Sequence, residues 1–573
     1  MVTVLGIHPG HGAGATLVRD GKIIASVDEE RFNRIKNWGG DYPRQSVDFV
    51  LKFAGMSIKD VDYISIPSKK FSKKDLTLMG LRYIRYPRIL FNRFKKVRGK
   101  SLGYRYHLEI IRKGLFDSYG KFEVKIIGVD HHMAHAASAY YTCGFNDPVI
   151  LTLDGVGGAI SGSVNIIKDR KIKRISSTLE PGSLGHFYEA LTEALGFWIN
   201  NDEYKVMGMA AYGDWKKGGY NELKWLAPKV SGLKFKRKKN WTIYSSYVNH
   251  FWNVHLGESA FIKVLIDKYG KLNVAAAGQR VLEDLILDWV GNVVEKTGKK
   301  NVCLAGGVFL NIKANKRIRD ELKLKVYPFP HAGDGGLSIG CALYVNNLVE
   351  PETKFERLRT LALGPEYSNE EIEKELKSFG KKIFYKKVGD IAKETARHIC
   401  KGKIVGWFSG RMEFGPRALG NRSIITSSSK KEYRDKVNVE VKFREEWRPF
   451  CPSMTVNGKK YLVNAEDDAW FMVTSFDVPK SKVKDIEGVV HVDGTTRPQI
   501  VEKDVNLVYW KLINEVERIS GVPVILNTSF NVKGEPIVCS PKDAINTFLK
   551  CGMEYLAIGD FWVGKNGKGR SKR

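Results

Sequence analysis

The sequence predicts an α/β protein organised as two domains, and three observations carry that expectation. Short β-branched runs alternate with helical patterns through the first half, in VTVLGIH, KIIASVD, YISIP, VKIIGVD, VILTLDG and VNIIK. Alternation of this kind builds a mixed sheet with helices packed on it, here from stretches such as SVDFVLKFAG and HHMAHAASAYY. The composition then changes at LVEPETKFERLRTLALGPEYSNEE, which is polar, contains proline and suits a linker. A second set of strands follows it, KIVGWFSG, VPVILNTSF and YLAIGDFWVG. The domains are therefore drawn at 1–352 and 366–563, with the linker at 353–365. The basic tail GKNGKGRSKR, 564–573, is expected to be disordered.

At 573 residues the chain can bury several cores, and 43% hydrophobic with 27% charged residues describes a folded soluble protein. The opening MVTVLGIHPG reads as a strand and a turn, without the basic and apolar regions of a signal peptide. No apolar run approaches the length of a spanning helix. The seven cysteines, at 143, 303, 341, 400, 451, 539 and 551, are scattered and never form CxxC. That pattern suits reduced thiols in a cytoplasm and argues against a disulfide scaffold or a zinc ribbon. The net charge of +30 favours polyanionic or phosphorylated partners, against the plainer reading of a lysine-rich surface.

Along the first half, two strand openings share a style. GIHPGHGAGATLVRDGKIIASVDEE begins at residue 6 and LDGVGGAISGSVNIIKDRKIKRI at residue 153. Both run strand, glycine-rich turn, strand, Asp-Gly or Asp-Arg turn, strand, which suggests a weak internal repeat of a β-hairpin unit. Between them, DHHMAHAASAYYTCGF places His131, His132 and His135 within five positions, from 12 histidines in all. If the alanines and tyrosines continue a helix, His131 and His135 stand one turn apart on one face and can bind a transition metal. The alternative is two unrelated histidines at a helix start. His132 would point about 100° away and is expected to be structural.

Three glycine-rich turns follow. LTLDGVGG puts Asp154 at the end of an apolar strand, LAGGVFLN ends another strand in adjacent glycines, and HAGDGGLSIG places Asp334 in a turn that opens a helix. Glycines there let backbone N–H groups approach phosphate, although each turn alone is equally a tight turn.

Together, the strand–turn–strand, HxxxH, LDG, AGGVxLN and late GDGG resemble the ASKHA fold, the duplicated actin and Hsp70 type, in its metal-bound form. GRMEFGPRALGNRSI, VKFREEWRPFCPSM, HVDGTTRPQIV and NTSFNVKGEPIVCSP resemble the block motifs of the O-carbamoyltransferase family. That family includes nodulation protein U and the antibiotic carbamoyltransferases, and the resemblance runs from about residue 2 to about residue 562. It implies an ASKHA-like N-terminal domain followed by a smaller YrdC-like α/β domain. The C-terminal domain would make carbamoyladenylate from carbamoyl phosphate and ATP. The N-terminal domain would pass the carbamoyl group to an acceptor hydroxyl.

Residue by residue, the resemblance implies that His131, His135, Asp154 and Asp334 hold one divalent metal, usually iron(II) in that family. Two imidazoles and two carboxylates suit iron, manganese or zinc alike. Gly157, Gly158, Gly306, Gly307, Asn311 and Gly333 would line the adenylate. Arg417, Lys442, Arg448 and Arg497 would grip carbamoyl phosphate, with Asn527 and Ser529 as hydrogen-bonding partners. For Arg411, Arg422 and Arg444 a surface ion pair is the expected role. Catalytic candidates are His11, Lys36, Lys205, and Asp202 or Glu203 as an alternative base. Two departures stand out: the family's His-Asp-Ala-Ser reads His11-Gly12-Ala13-Gly14, and its Glu-Gly-Lys reads Glu203-Tyr204-Lys205.

The acceptor stays open among an aminoglycoside, a lipo-oligosaccharide sugar, a nucleotide sugar and a lipid-linked glycan. Lys69–Lys100 carries 12 Lys or Arg against one acid, Asp75, with interleaved aromatics. It reads as a lid for an anionic acceptor, as a patch for peripheral contact with an anionic membrane, or as a solvated face. Threonylcarbamoyl transfer to tRNA and a non-enzymatic ASKHA nucleotide-binding regulator are the competing functions. The absence of a nucleic-acid-binding module disfavours the first.

Overall fold

The computed structural model describes residues 2–69, 103–237, 245–248, 252–445, 447–465 and 469–566. The basic segment therefore lies, from Lys70 to Lys100, outside the described residues.

The N-terminal half is the same unit built twice. Its first sheet holds β1 (Thr3–His8), β2 (Gly14–Arg19), β3 (Lys22–Asp28), β4 (Tyr63–Ile66) and β5 (Lys125–Gly128) in the order β3-β2-β1-β4-β5. Helices α1 (Arg44–Phe53), α2 (Gly103–Tyr119) and α3 (His131–Cys143) accompany it. The second sheet holds β6 (Val149–Gly157), β7 (Ile160–Lys168), β8 (Lys171–Leu179), β9 (Asn301–Ala305) and β10 (Lys325–Pro328). Its order, β8-β7-β6-β9-β10, repeats that of the first, with the same two antiparallel and two parallel pairings. Both hairpins close on two residues of positive φ, Asp20 at 49° and Gly21 at 79°, then Asp169 at 51° and Arg170 at 57°. Left-handed backbone at both positions matches the twist of the flanking strands. The suspected hairpin repeat is thus half of a full duplication, as an ASKHA-like domain requires.

Helices α4 (Leu184–Ala194), α5 (Glu203–Ala210), α6 (Lys271–Thr297), α7 (Ile312–Leu322) and α8 (Leu337–Val349) also belong to this half. The central strands are buried on both faces, so they read as unbroken apolar runs. In β1, Val4 faces the core of α3 and α8, while Leu5 and Ile7 face that of α1 and α2. In β6, Ile150 shares the α3–α8 core, while Leu151 and Leu153 face α4 and α6. Helices α3 and α8 are sandwiched between the two sheets, packed through small residues. A Cβ on Gly340 of α8 would stand 1.9 Å from the Ala134 carbonyl oxygen of α3. Such contact brings the two halves' functional turns to one cleft.

The C-terminal half is a mixed eight-stranded sheet. It contains α9 (Asn369–Ser378), β11 (Ile383–Lys387), α10 (Ile391–Ile399), β12 (Val405–Phe408), β13 (Arg422–Ser427), β14 (Cys451–Met454) and β15 (Gln499–Ile500). Then come α11 (Leu507–Ser520), β16 (Val524–Ser529), α12 (Pro541–Lys550), β17 (Tyr555–Ile558) and β18 (Phe561–Lys565). The strand order is β11-β18-β17-β12-β13-β16-β14-β15. Strand alternation splits its core: Val405 and Trp407 pack with α10 and α11, Ile404 and Phe408 with α9 and α12. Gly564 and Lys565, expected in a disordered tail, pair with Phe384 and Ile383 instead.

The linker is a strap hydrogen-bonded to both halves. Leu358 N–H donates to Thr142, the Leu363 carbonyl accepts from Ser26, and the Leu361 carbonyl accepts from Phe414. Arg411 corrects its expected surface role: its guanidinium donates to the carbonyls of Ile24, Leu363 and Gly364 and lies 4.0 Å from the Phe53 ring centre. Arg422 is 0% exposed and donates to the carbonyls of Pro365, Ser409, Gly410 and Asn421, so it is a buried staple, not a surface ion pair. Arg31, donating to Gly415, and Arg34, donating to Pro536 and Ile537, pin the N-terminal half to the C-terminal one. Among the described residues, no helix is long and apolar enough to cross a membrane.

Candidate functional site

The duplication explains where the cleft lies. His131 and His135 open α3 after β5, and Asp334 precedes α8 at the equivalent place after β10. Asp154 ends the straight part of β6. Asp130 caps α3, its carboxylate accepting from Met133 N–H at 3.0 Å and pairing with Arg174. The helix then sets the two imidazoles with ring centres 4.8 Å apart.

Asp154 Oδ1 accepts the N–H groups of Gly155 at 2.9 Å and Gly307 at 3.3 Å. Its Oδ2 is left facing His131 Nε2 at 3.1 Å and His135 Nε2 at 3.2 Å. Asp334 Oδ1 lies 3.6 and 3.4 Å from the same nitrogens. The four ligand atoms fall within 4.8 Å of one another. Burial disfavours charge on His135, but hydrogen bonds to Asp154 and Asp334 outweigh it and raise its pKa to about 9. Burial likewise opposes ionisation of Asp154, and the two histidines hold it well below the usual carboxylate range. The cluster thus favours a positive charge at its centre, and its donors fit a first-row divalent ion. His132 faces away, as expected. Its Nε2–H donates to the Ile160 carbonyl at 3.0 Å and its Nδ1 accepts from Thr152 at 2.8 Å. Burial lowers its pKa to about 3, so it stays neutral.

The glycine turns crowd the same cleft. A Cβ on Gly157 would lie 2.0 Å from the His131 ring, and Gly306 has a φ of 96° with the Leu153 carbonyl 2.1 Å from its would-be Cβ. Gly158 sits beside Asp130 and Gly333 precedes Asp334. Asn311 is different: its amide caps α7 and pairs both ways with Gln279 at 3.0 Å, so it braces the turn.

His11 is exposed on the β1–β2 turn. Its carbonyl accepts from His8 Nε2–H at 3.0 Å, a buried histidine that sequence reasoning passed over. Burial lowers His8 to about 3. A Cβ on Gly12 would lie 3.3 Å from Gly335 N, so the His11 turn rests on the Asp334 turn. Lys36 is exposed, and Asn37 beside it donates to Asn201 at 2.8 Å. Asp202 is already engaged, with Lys205 at 2.8 Å and Trp198 N–H at 3.3 Å. Burial, helped by Glu189 and Asp202, raises Glu203 to about 7.

In the C-terminal half Arg417, Arg444, Arg448 and Arg497 converge. Burial and then the neighbouring guanidiniums lower Arg417 and Arg444 to about 9. Arg444 thereby corrects its expected surface ion pair: it bonds Asn438 and lies 4.3 Å from the Phe450 ring centre. Arg497 donates to Cys451 Sγ at 3.0 and 2.9 Å. Glu445 stands 3.9 Å from Arg448. Lys442 Nζ is caged by the Ser529 carbonyl and hydroxyl and by both oxygens of Asn531, a residue not anticipated from the sequence. Asn527 is 1% exposed and donates to Ala418 and Ser453, bracing the backbone beside Arg417.

The family model described as Carbamoyltransferase N-terminus matches residues 3–343, and Carbamoyltransferase C-terminus matches residues 396–565. The chain belongs to the carbamoyltransferase family. This carbamoyltransferase is 33% identical to nodulation protein NolNO of Sinorhizobium fredii, over 97% of the chain and 79% of the relative. It is 34% identical to nodulation protein NolO of Bradyrhizobium diazoefficiens, over 76% and 79%. Among solved structures, full-length HypF in a phosphate- and nucleotide-bound form overlaps 61% of this carbamoyltransferase and 56% of its own chain. Its TM-score is 0.33 and its identity 13%. The carbamoyltransferase is accordingly an enzyme, a transferase of carbamoyl groups.

Proposed function

We propose that this carbamoyltransferase works in two ATP-dependent steps. In the C-terminal half, water cleaves carbamoyl phosphate to carbamate and phosphate, and the carbamate oxygen then attacks the α-phosphorus of ATP, giving carbamoyladenylate and releasing pyrophosphate. In the N-terminal cleft, an acceptor hydroxyl attacks the carbamoyl carbon and AMP leaves. The observation that carries this reading is the pairing of two complementary clusters. The guanidiniums of Arg417, Arg444, Arg448 and Arg497 are crowded together and suit a phosphorylated substrate. The ligand set of His131, His135, Asp154 and Asp334 suits a cation.

A divalent ion held by those four, iron(II) by resemblance to the family, would offset the adenylate phosphate's charge and so ease departure of AMP. The glycines of the Gly306–Gly307 turn let the backbone come close in the same cleft, with their N–H groups held by the Ala332 carbonyl and Asp154 Oδ1. Lys442, caged by Ser529 and Asn531, braces the arginine pocket without needing to touch the substrate. His11 or Glu203 takes the proton of the acceptor hydroxyl. Glu203, poised at about 7, is matched to that task near neutral pH. Asp202, paired with Lys205, holds the turn. The acceptor is a sugar-like molecule with a free hydroxyl, made anionic by phosphate or a lipid carrier if Lys69–Lys100 reads it. The reaction is placed in the cytoplasm, where both phosphorylated substrates are supplied.

The test is pyrophosphate release from ATP, with and without carbamoyl phosphate, by the purified full chain. Release that depends on carbamoyl phosphate supports the reading, and none overturns it. Mass spectrometry of products from host extract should then reveal an acceptor heavier by one carbamoyl unit.

A further inference from the structure

Tyr204 stands where the two halves meet. It lies in the first turn of α5, between Glu203 and Lys205, yet its ring faces the C-terminal pocket. The Arg448 guanidinium carbon lies 4.8 Å from the centre of the Tyr204 ring. Two further contacts dock α5 and the loop before it on Trp447, next to Arg448. A Cβ on Gly208 would lie 3.2 Å from the Trp447 ring, and Phe197 packs edge-on to Trp447 at 6.3 Å. Lys205, paired with Asp202, lies 5.4 Å from the centre of that same Phe197 ring.

Guanidiniums crowded together repel one another, and a nearby acid such as Glu445 at 3.9 Å restrains Arg448 only weakly. An aromatic face attracts a guanidinium without neutralising it, so the arginine keeps its full charge for a ligand. We propose that Tyr204 is a positioning residue: it holds Arg448 aimed at the phosphate of carbamoyl phosphate and ties occupancy of that pocket to the order of α5. The inference rests on the reading of the arginine pocket given above. An anion that fixes Arg448 fixes Tyr204 against it, and with it the turn that carries Asp202 and Lys205. By linkage, whatever orders α5 tightens the pocket in return.

Two measurements test this. In carbamoyl phosphate-dependent pyrophosphate release, Tyr204→Leu should raise the KM for carbamoyl phosphate about 3- to 30-fold and leave the KM for ATP unchanged. Tyr204→Phe, which keeps the ring face, should stay within about twofold of the wild type. In hydrogen exchange, inorganic phosphate should slow the amides of residues 203–210 in wild type and Tyr204→Phe, and not in Tyr204→Leu. Tyr204→Met serves as a second aliphatic replacement should the leucine variant fold poorly. An unchanged KM in both aliphatic variants, an equal loss in Tyr204→Phe, or phosphate protection that survives in them would overturn the inference alone. Wild type that releases no pyrophosphate with carbamoyl phosphate would overturn the pocket's reading and the inference with it.

Discussion

Asp154 meets the candidate metal with one oxygen already committed. Oδ1 is held by the amides of Gly155 and Gly307, so the carboxylate cannot rotate and Oδ2 is fixed toward both histidines. In Asp154→Asn the amide oxygen would take those two N–H bonds and the NH2 would face the imidazoles, a donor where a ligand is needed. Elemental analysis of the wild type should find about one divalent ion per chain, and the variant should bind it at least tenfold more weakly. Full occupancy in the variant would show that Asp154 is not a ligand. Glu203 makes a pH prediction whose sign is fixed by its raised pKa. The folded chain keeps the proton up to about 7, against an ordinary value of 4.5. Its stabilising contribution is therefore complete below about 4.5 and lost as pH rises through about 7. Melting temperatures of wild type relative to Glu203→Gln should fall across that window, and a flat difference would refute the shift.

The strand β6 and the helix α3 fit together only because residue 157 lacks a side chain. A Cβ there would stand 2.0 Å from the His131 ring, while the ring's partner His135 is 1% exposed and has no room to follow. Gly157→Ala should cost about 1–3 kcal/mol by overpacking. It should also lower metal content well below one ion per chain while circular dichroism shows the fold intact. Retained metal would mean that α3 slides freely on β6. These elements also show what the sequence could and could not convey. The paired hairpin turns and the HxxxH spacing are local patterns, and both were legible. Bringing Asp154 and Asp334 to those histidines spans long stretches of chain, and only the family resemblance joined them. Arg411, Arg422 and Arg444 depart from expectation because charge defaults to the surface, and no local signal announces the backbone carbonyls that hold Arg411 and Arg422 or the Asn438 amide and Phe450 ring that hold Arg444. The hydrogen bonds of the linker are illegible for a related reason, since polar composition does not tell which backbone groups find partners. The direction of Tyr204 depends on a segment more than 200 residues away and left no trace in its neighbours.

The molecule as a whole is basic, and its charge is unevenly placed. Lys69–Lys100 alone supplies 12 cationic groups against one acid in a chain of net +30. If that charge recruits an anionic acceptor, Arg82, Arg85 and Arg88 changed together to Gln should raise the acceptor KM several-fold, and added salt should mimic the change. Adenylate formation should be untouched, and unchanged acceptor kinetics would return the segment to a solvated role. The arrangement of the two clusters makes the strongest demand. The histidines and carboxylates belong to the duplicated N-terminal half, and the guanidiniums, with Cys451, to the C-terminal half. The halves are pinned by Arg31, Arg34 and the linker strap, yet no ligand residue is shared between the clusters. His131→Ala should therefore abolish carbamoyl transfer and leave pyrophosphate release measurable. Arg497→Ala should stop pyrophosphate release, and added carbamoyladenylate should restore transfer. If His131→Ala halted both steps in a folded chain, the two clusters would have to serve one site, and the division of chemistry between the halves would fail.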